Sequence, residues 1–522
     1  MKTSILKISS YAGAANIIEL ILALLTAGLS IRFLGLEDAG FFLFFESLIQ
    51  VNGGLFNLGF QSAVTKQAGQ AIAEGNELKA RRLFEVGMTI DLIAVFIPGF
   101  TILLLAPLII EYSGYTGSSS PAIIYIYFSI ASLILSKLTL IFTVGLVTRH
   151  AFGIVSAYRI ISNITTNLVR IGILVWIPSL PTLGCANTLS LLLGTCFLAV
   201  VCIKRNGYIP KLSIRKTEIS ELWNFSKWEY AWNLSSMLTA NLDRILIVKY
   251  FGLTMLPIYS MSKRVLTLGH RFIVGFTDYF FPLLSGQTKK DRATMIQKLE
   301  YPLPWGLFCL GAIVYGTAVI LGPNLLDLMV GDQFGSRALP GILGFTIVGM
   351  TWLVGVLPYY VARSDGKTYL NTYVAVSNSA IVFTSIWIFA YQGSFVSTIF
   401  CQALVIPAFL IQYQILIPGR SLLKSFMHQI KPTLGFTFVW AFVLLSYFAS
   451  DSFNKGWPAA VFFEALLLIA TGFIILYEII YGKDMELKKV FQKLFRFILP
   501  TLKKIPPVPL KCSEFAARSR DV

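Results

Sequence analysis

The chain has few charged residues for its size, and this scarcity excludes most soluble proteins. Of its 522 residues only 13% are charged and 56% are hydrophobic, whereas a soluble domain carries about 25% charged residues. Its six cysteines and three histidines show no CxxC spacing and no pairing with each other, so the sequence indicates no metal site, disulfide framework or cofactor. Because the apolar residues come in long runs, the sequence predicts an all-α, polytopic membrane protein.

The charge that is present is mostly positive. Lysine and arginine number 43 against 26 acidic residues, a formal net charge of +17. In a soluble protein such an excess would suggest nucleic-acid binding. In a membrane protein it is the expected result of basic cytoplasmic loops, and we therefore expect no nucleic-acid partner.

The apolar runs are long enough for about fourteen membrane-spanning helices, each needing roughly 20 residues. A segment of this kind at the N-terminus contains Asn16 and Glu19 and exceeds a signal-peptide core, so we interpret it as the first span. The predicted spans are 11–33, 41–65, 86–110, 122–147, 154–178, 183–203, 231–250, 256–284, 302–322, 339–361, 369–390, 394–417, 432–449 and 458–481.

The distribution of basic residues predicts the orientation. With the N-terminus inside, 32 of the 43 lysines and arginines fall in cytoplasmic segments. This asymmetry and the even number of spans predict an inner (plasma) membrane protein with both termini cytoplasmic. No external loop exceeds about fifteen residues, and no DxD motif lies in a soluble domain, so a polymerase or glycosyltransferase is disfavoured. We expect that the protein is not an enzyme.

The sequence repeats itself at an offset of about 217 residues. Residues 32–36 (RFLGL) correspond to residues 249–253 (KYFGL). Six spans separate the copies, so two six-helix lobes should be related by a pseudo-twofold axis along the membrane normal. The predicted division is an N-lobe at 1–215, a C-lobe at 216–430, an extra helix pair at 431–482 and a basic amphipathic, then disordered, cytoplasmic tail at 483–522.

Polar and charged residues recur on single faces of several predicted helices. Small polar side chains on such faces can serve helix packing alone, and Lys263 and Arg264 lie near enough to the surface to snorkel. Charges at membrane depth are nevertheless costly unless they face water or a partner. We therefore expect a wetted cleft between the lobes with a cationic C-lobe wall. The candidate substrate-binding residues are Arg244, Arg264, Arg271, Lys263, Asn57, Gln50, Lys137 and Arg170.

Carboxylates at membrane depth are the candidates for coupling to a gradient of H⁺ or Na⁺. They are Glu19, Asp243, Glu46, Asp278 and Asp91. For Asp243 the alternative is simple compensation of a neighbouring arginine. Positions 46 and 263 are equivalent in the repeat, so we also expect Glu46 and Lys263 to form an ion pair across the lobe interface in the state closed to the periplasm, and to part when the lobes rock outward.

Three segments resemble a known family of transporters. They are RFLGLEDAGFF at 32–42, NLGFQSAVTKQAGQ at 57–70 and NLDRILIVKYFGLTMLPIYSMSKR at 241–264. They resemble the polysaccharide-biosynthesis flippases, the O-antigen and capsule repeat-unit translocases of the multidrug/oligosaccharidyl-lipid/polysaccharide exporter superfamily. The predicted span number and the duplicated lobes fit the same family.

The resemblance implies a substrate and a mechanism. The substrate would be an undecaprenyl-pyrophosphate-linked oligosaccharide, moved to the periplasmic leaflet by ion-driven alternating access for O-antigen, capsule or exopolysaccharide assembly. Partners would then be the lipid bilayer, a polysaccharide polymerase and chain-length proteins. Within that scheme we expect Arg271, assisted by Arg244, to attract the pyrophosphate, because a guanidinium offers paired donors.

Other transporters of the same superfamily remain alternatives. A flippase for a cell-wall lipid precursor would have the same number of spans. A cation-coupled multidrug antiporter would share the fold but should favour carboxylates and aromatic residues over the C-lobe arginines. A scaffold without transport activity would have no use for charges buried on matched helix faces.

Overall fold

The described secondary structure is entirely helical, as the hydropathy pattern predicts. The computed structural model describes residues 2–149, 151–206, 211–275, 277, 289–300 and 302–416, together with 466 and 471. The first half contains α1 (Lys2–Leu55), α2 (Phe60–Ala73), α3 (Glu77–Ser113), α4 (Ser119–Val147), α5 (Phe152–Trp176) and α6 (Leu180–Asn206). The second contains α7 (Lys216–Phe251), α8 (Met255–Gly275), α9 (Lys289–Leu299), α10 (Pro302–Ile320), α11 (Gly322–Val330), α12 (Phe334–Leu353), α13 (Val356–Ser364), α14 (Thr368–Tyr391), α15 (Phe395–Phe400), a 3₁₀ turn (Cys401–Val405) and α16 (Ile406–Leu416).

Seven of the described helical segments are long and apolar enough to cross a membrane. They are Glu77–Ser113, Ser119–Val147, Leu180–Arg205, Thr294–Ile320, Phe334–Ser364, Tyr369–Tyr391 and Phe395–Leu416. Large apolar side chains such as Phe100 and Trp176 lie exposed on these and neighbouring helices, as expected where lipid replaces water. The all-α, polytopic membrane fold is thereby confirmed. The predicted spans at 432–449 and 458–481 and the tail lie outside the described residues.

The repeat is visible in the backbone. Gly35 interrupts α1 at φ 81°, ψ 171°, and Gly252 ends α7 at φ 82°, ψ 170°. The two positions lie 217 residues apart, and a positive φ of this kind favours glycine because it has no Cβ. The same sharp break therefore joins the first two helices of each repeat. We refer to the side of the bundle at Gly35 and Gly252 as the turn end.

One predicted span is wrong in its extent. The sequence suggested a single helix over 41–65, but α1 ends at Leu55 and α2 begins only at Phe60. Between them Gly59 adopts a left-handed conformation at φ 74°. Because the helix is interrupted here, Asn57 does not continue the helical face of Glu46.

Apolar packing closes the turn end between the two repeats. Phe41, Phe44 and Phe45 of α1 share one buried cluster with Leu253 and Tyr259. The backbones approach so closely that a Cβ on Gly40 would lie 2.2 Å from the Leu253 carbonyl oxygen. A polar path between the repeats is therefore blocked at this end.

At the opposite end of the bundle, the beginning of α7 packs on the first repeat. Leu222 is fully buried in a cluster with Phe60, Leu83 and Phe84. The Lys79 ammonium lies 3.1 Å from a carboxylate oxygen of Glu221. The division into lobes at residue 215 stays a prediction.

Candidate functional site

A buried polar cluster occupies the second repeat beneath the turn end. Lys263 and Asp243 form an ion pair with side chains only 8% and 1% exposed. The Lys263 ammonium also donates to the Ala240 carbonyl oxygen at 2.9 Å. The Tyr259 hydroxyl donates to the same carboxylate and accepts from Gln402 Nε2 at 2.9 Å. Lys263 is thus held by its own repeat.

This arrangement differs from the expectation for Lys263. The sequence suggested that Lys263 pairs with Glu46 across the interface, but its ammonium binds Asp243 of the adjacent helix α7. Asp243 Oδ1 accepts from the Arg244 backbone N–H at 2.9 Å as well. The physical reason is depth: Asp243 and Lys263 lie about 13–17 Å from Gly252 along their two helices, so they meet without crossing the interface.

Glu46 instead faces arginines. Arg264 of α8 lies within electrostatic range of Glu46, Arg244 and Arg170, and Tyr125 of α4 lies within range of both Glu46 and Arg170. These four charged residues are half-buried. They come from α1, α5, α7 and α8, so both repeats contribute. Three guanidinium groups against one carboxylate leave a local charge of +2, and we call Glu46, Arg170, Arg244 and Arg264 the arginine cluster.

The arginine side chains of this cluster make few hydrogen bonds to other described protein groups. Arg244 Nη1 donates to the Ser47 hydroxyl at 3.4 Å, and Arg264 Nη1 to the Ala23 carbonyl oxygen at 3.4 Å. Arg170 Nη2 makes a short bond of 2.6 Å to Asn187 Oδ1. The Nε atoms of Arg170 and Arg244 are buried, and the described residues offer them no partner. Buried guanidinium N–H groups without a hydrogen-bond partner favour the binding of an anionic ligand.

The cluster lies at a common depth. At 1.5 Å per residue, its members stand about 9–18 Å from the turn end of their helices. The close backbone contact between Gly40 and Leu253 lies nearer to the turn end than any of them. A ligand reaching the arginines would therefore have to enter from the opposite side of the bundle or from the membrane.

A second charged site lies in the first repeat, deeper in the bundle. Asp91 of α3 and Lys137 of α4 are only 4% and 9% exposed. The Lys137 charge acts on Asp91, but no described contact brings its ammonium within 4.0 Å of the carboxylate. Asp91 Oδ1 and Gln61 Nε2 are buried without a partner among the described residues. The side chains of Asp91 and Gln61 line one small cavity.

The other candidates do not join these sites in the described structure. Gln50 and Arg271 are exposed, and Arg271 lies about 10 Å further along α8 than Arg264. Asn57 lies in the turn between α1 and α2. The side chain of Glu19 and the whole of Asp278 lie outside the described residues, and the roles proposed for these residues stay predictions.

Sequence reasoning missed the contributions of Ser47, Tyr259 and Gln402. Tyr259 and Gln402 are uncharged, and nothing in their spacing distinguishes them from packing residues. Within the described residues no group of three or more His, Cys, Asp and Glu side chains could hold a metal ion.

Sequence comparison assigns a family. The family model described as "Polysaccharide biosynthesis protein" matches residues 31–339, more than half of the chain. The chain belongs to that family. No curated protein sequence matches the chain.

Several solved structures share the fold of this chain. The lipid II flippase MurJ in an inward closed conformation aligns with a TM-score of 0.65 at 12% identity, covering 90% of this chain and 99% of that one. An inward-facing MATE family multidrug resistance transporter of the MOP superfamily gives 0.59 at 13%, covering 79% and 95%. The Vibrio cholerae MATE transporter VcmN in its bent form gives 0.53 at 16%, covering 81% and 96%. The chain therefore has the fold that these solved structures share.

Proposed function

We propose that the protein flips undecaprenyl-pyrophosphate-linked oligosaccharide repeat units across the inner membrane by ion-coupled alternating access. The observation that carries the proposal is the arginine cluster, in which guanidinium groups of both repeats lie within electrostatic range of one another and the buried Nε donors of Arg170 and Arg244 have no partner among the described residues. Membership of a polysaccharide biosynthesis family supports a saccharide substrate. The fold shared with a lipid II flippase supports a lipid-linked one.

The chemistry of the cluster suits a pyrophosphate. Its charge of +2 matches a compact dianion, and planar guanidinium groups offer paired donors to phosphate oxygens. Glu46 limits the attraction so that the anion can leave again. With both termini cytoplasmic, the turn end faces the periplasm. The described conformation, closed at that end, would then receive substrate from the cytoplasmic side.

Release would require the two lobes to separate at the turn end. Because Arg170 belongs to the N-lobe and Arg244 and Arg264 to the C-lobe, that separation would pull the guanidinium groups apart. The bound pyrophosphate would lose donors from one side and become free to leave. Substrate affinity and conformation are linked in this way without any covalent step.

Arg244 provides the decisive test. Arg244→Ala should abolish surface polysaccharide in cells at normal protein abundance, whereas Arg244→Lys should restore part of it because it keeps the charge but loses the fork geometry. Arg205→Ala is the matched control, since Arg205 is an exposed arginine at the end of α6. Normal polymer in Arg244→Ala cells would refute the assignment of the cluster.

Binding assays separate the proposed substrate from its alternatives. Purified protein should bind undecaprenyl pyrophosphate more tightly than undecaprenyl monophosphate, and Arg244→Ala should remove the difference. A multidrug antiporter would instead bind organic cations and ignore both lipids. A preference for a complete cell-wall precursor over the undecaprenyl pyrophosphate carrier would favour a cell-wall lipid flippase.

A further inference from the structure

The Asp91 carboxylate lies in an environment that is poorly suited to a permanent negative charge. It is 4% exposed, and its Oδ1 atom has no hydrogen-bond partner among the described residues. The cavity beside it is lined by Gln61 and by apolar side chains, among them Val64, Phe84 and Ile141. A buried, ionised carboxylate without a donor at one oxygen is costly.

The only charge described as acting on Asp91 is that of Lys137, and it is held at a distance. The Gln61 amide of α2 lies near enough to favour the ionised carboxylate as a hydrogen-bond donor, and Lys137 of α4 favours it through its charge. The helix α7 contributes the uncharged Leu222 to the apolar cluster around this part of α3. On α3 itself, Glu85 is occupied by Arg81 at 2.9 Å. Asp91 therefore has one available counter-charge, which is not in contact with it in this conformation.

The ligand that fits this site is a proton. A metal ion would require several oxygen ligands, whereas the cavity presents one carboxylate and one amide among apolar walls. The Lys137 ammonium nearby would also repel a metal cation. The cavity has room for about one water molecule at most, which is enough to deliver a proton to Oδ1.

We propose that Asp91 takes up and releases the proton that couples transport to the proton gradient, and that Lys137 replaces the proton as counter-charge when it leaves. On uptake an O–H bond forms at Asp91 with a proton from water, and Lys137 stays apart. On release the proton returns to water and Lys137 closes onto the carboxylate. The coupling to transport rests on the proposed function, whereas the protonation of Asp91 can be measured without it.

Infrared spectroscopy of purified protein in lipid nanodiscs tests the proton site directly. The C=O stretch of a protonated carboxyl should appear and disappear as the pH is varied. Asp91→Asn should remove this band, and Asp91→Glu should keep a titrating one. Asp332→Asn is the matched control and should leave the band in place, because Asp332 is exposed. A band that survives Asp91→Asn or vanishes in Asp332→Asn would overturn the assignment.

Lys137→Gln tests the counter-charge. With the ammonium removed, the carboxylate loses the cation that stabilises it, so the protonated band should persist to higher pH than in the wild-type protein. An unchanged or lowered titration midpoint would show that Lys137 does not replace the proton.

Export assays test the coupling separately from the substrate. Asp91→Asn cells should lose most surface polysaccharide at normal protein abundance, while purified Asp91→Asn protein still binds undecaprenyl pyrophosphate. Normal polymer in these cells would overturn the coupling role. If the wild-type protein itself failed to bind undecaprenyl pyrophosphate, the proposed function would fail, and the infrared titration would still decide whether Asp91 is the proton site.

Discussion

Positions 46 and 263 are equivalent in the repeat, yet the two halves of the molecule use them in opposite ways. In the second repeat Lys263 is neutralised by Asp243 on the neighbouring helix. In the first repeat the position equivalent to Asp243 is Thr26, whose hydroxyl donates to the Leu22 carbonyl oxygen within its own helix. Glu46 therefore has no such partner and lies within electrostatic range of Arg264.

This difference shows that equivalent positions of a repeated fold can hold charges in different environments. Lys263 is paired with Asp243 inside the second repeat, so its charge does not act across the interface between the repeats. Glu46, at the equivalent position of the first repeat, can interact with Arg264 of the second repeat. Substitution of Lys263 should therefore change the stability of the protein, whereas substitution of Glu46 should change its affinity for the ligand.

The largest expected effect is on stability, at Lys263. Lys263→Met should lower the free energy of unfolding by up to about 3–5 kcal/mol, because it leaves a buried carboxylate without its cation. Thermal unfolding of the purified protein in detergent would measure the loss. Glu46→Gln, at the equivalent position, should change it by less than about 1 kcal/mol.

A double variant distinguishes the ion pair from general packing. Asp243→Asn combined with Lys263→Met removes both charges and should recover much of the stability lost by Lys263→Met alone, since neutral replacement of a buried pair is often tolerated. If the double variant is as unstable as the single one, Lys263 contributes through its packing rather than through its charge.

The second effect is on affinity, at Glu46. Glu46→Gln removes the negative charge from the arginine cluster, so undecaprenyl pyrophosphate should bind about fivefold more tightly, corresponding to roughly 1 kcal/mol. Export should become slower because the lipid is released less readily. Glu74→Gln, which neutralises an exposed carboxylate at the end of α2, serves as the control. Equal affinities for Glu46→Gln and wild type would place the anion elsewhere.

Much of the fold could be predicted from the sequence, because hydrophobic runs and glycine turns are local signals. The starts of α4, α5 and α6 fall within three residues of the predicted spans, and Gly35 and Gly252 mark the repeat. The break near Gly59 was missed because an apolar run can continue through an interrupted helix. The Asn57-Leu58-Gly59 sequence was the available signal for a turn.

The sequence indicated which charged residues lie at membrane depth, but not how they pair. Arg170, Arg244 and Arg264 lie within electrostatic range of one another and their role in substrate binding stays a prediction, whereas the partner of Lys263 was not identified. The repeat symmetry suggested Glu46 as the partner of Lys263. The Lys263 ammonium binds Asp243 instead, because Asp243 lies close by on the neighbouring helix α7. Counting residues from Gly252 would have placed Asp243 and Lys263 at similar depth, and this is the signal that sequence reasoning did not use.

The smallest expected effect concerns the turn end, where the repeats differ again. Glu37, just before the predicted span at 41–65, accepts hydrogen bonds from the Thr116 backbone N–H at 2.6 Å and the Thr116 hydroxyl at 2.7 Å. Its repeat equivalent, Thr254, is exposed and carries no charge. The hydrogen bonds of Thr116, first that of its hydroxyl and then that of its backbone, lower the pKa of the Glu37 carboxyl from its usual range.

A lowered pKa fixes the sign of the pH dependence. The stabilisation by ionised Glu37 is fully present above the pKa of the unfolded chain and is lost as the pH falls through the lower pKa of the folded protein. Glu37→Gln should therefore be slightly less stable than wild type near neutral pH, by less than about 1 kcal/mol because the side chain is largely solvated. The difference should vanish at acid pH. Thermal unfolding across this pH range measures it, with Thr254→Ala as the control that should show no such dependence. A difference between Glu37→Gln and wild type that persists in acid would mean that Glu37 acts through its shape and hydrogen bonds rather than through its charge.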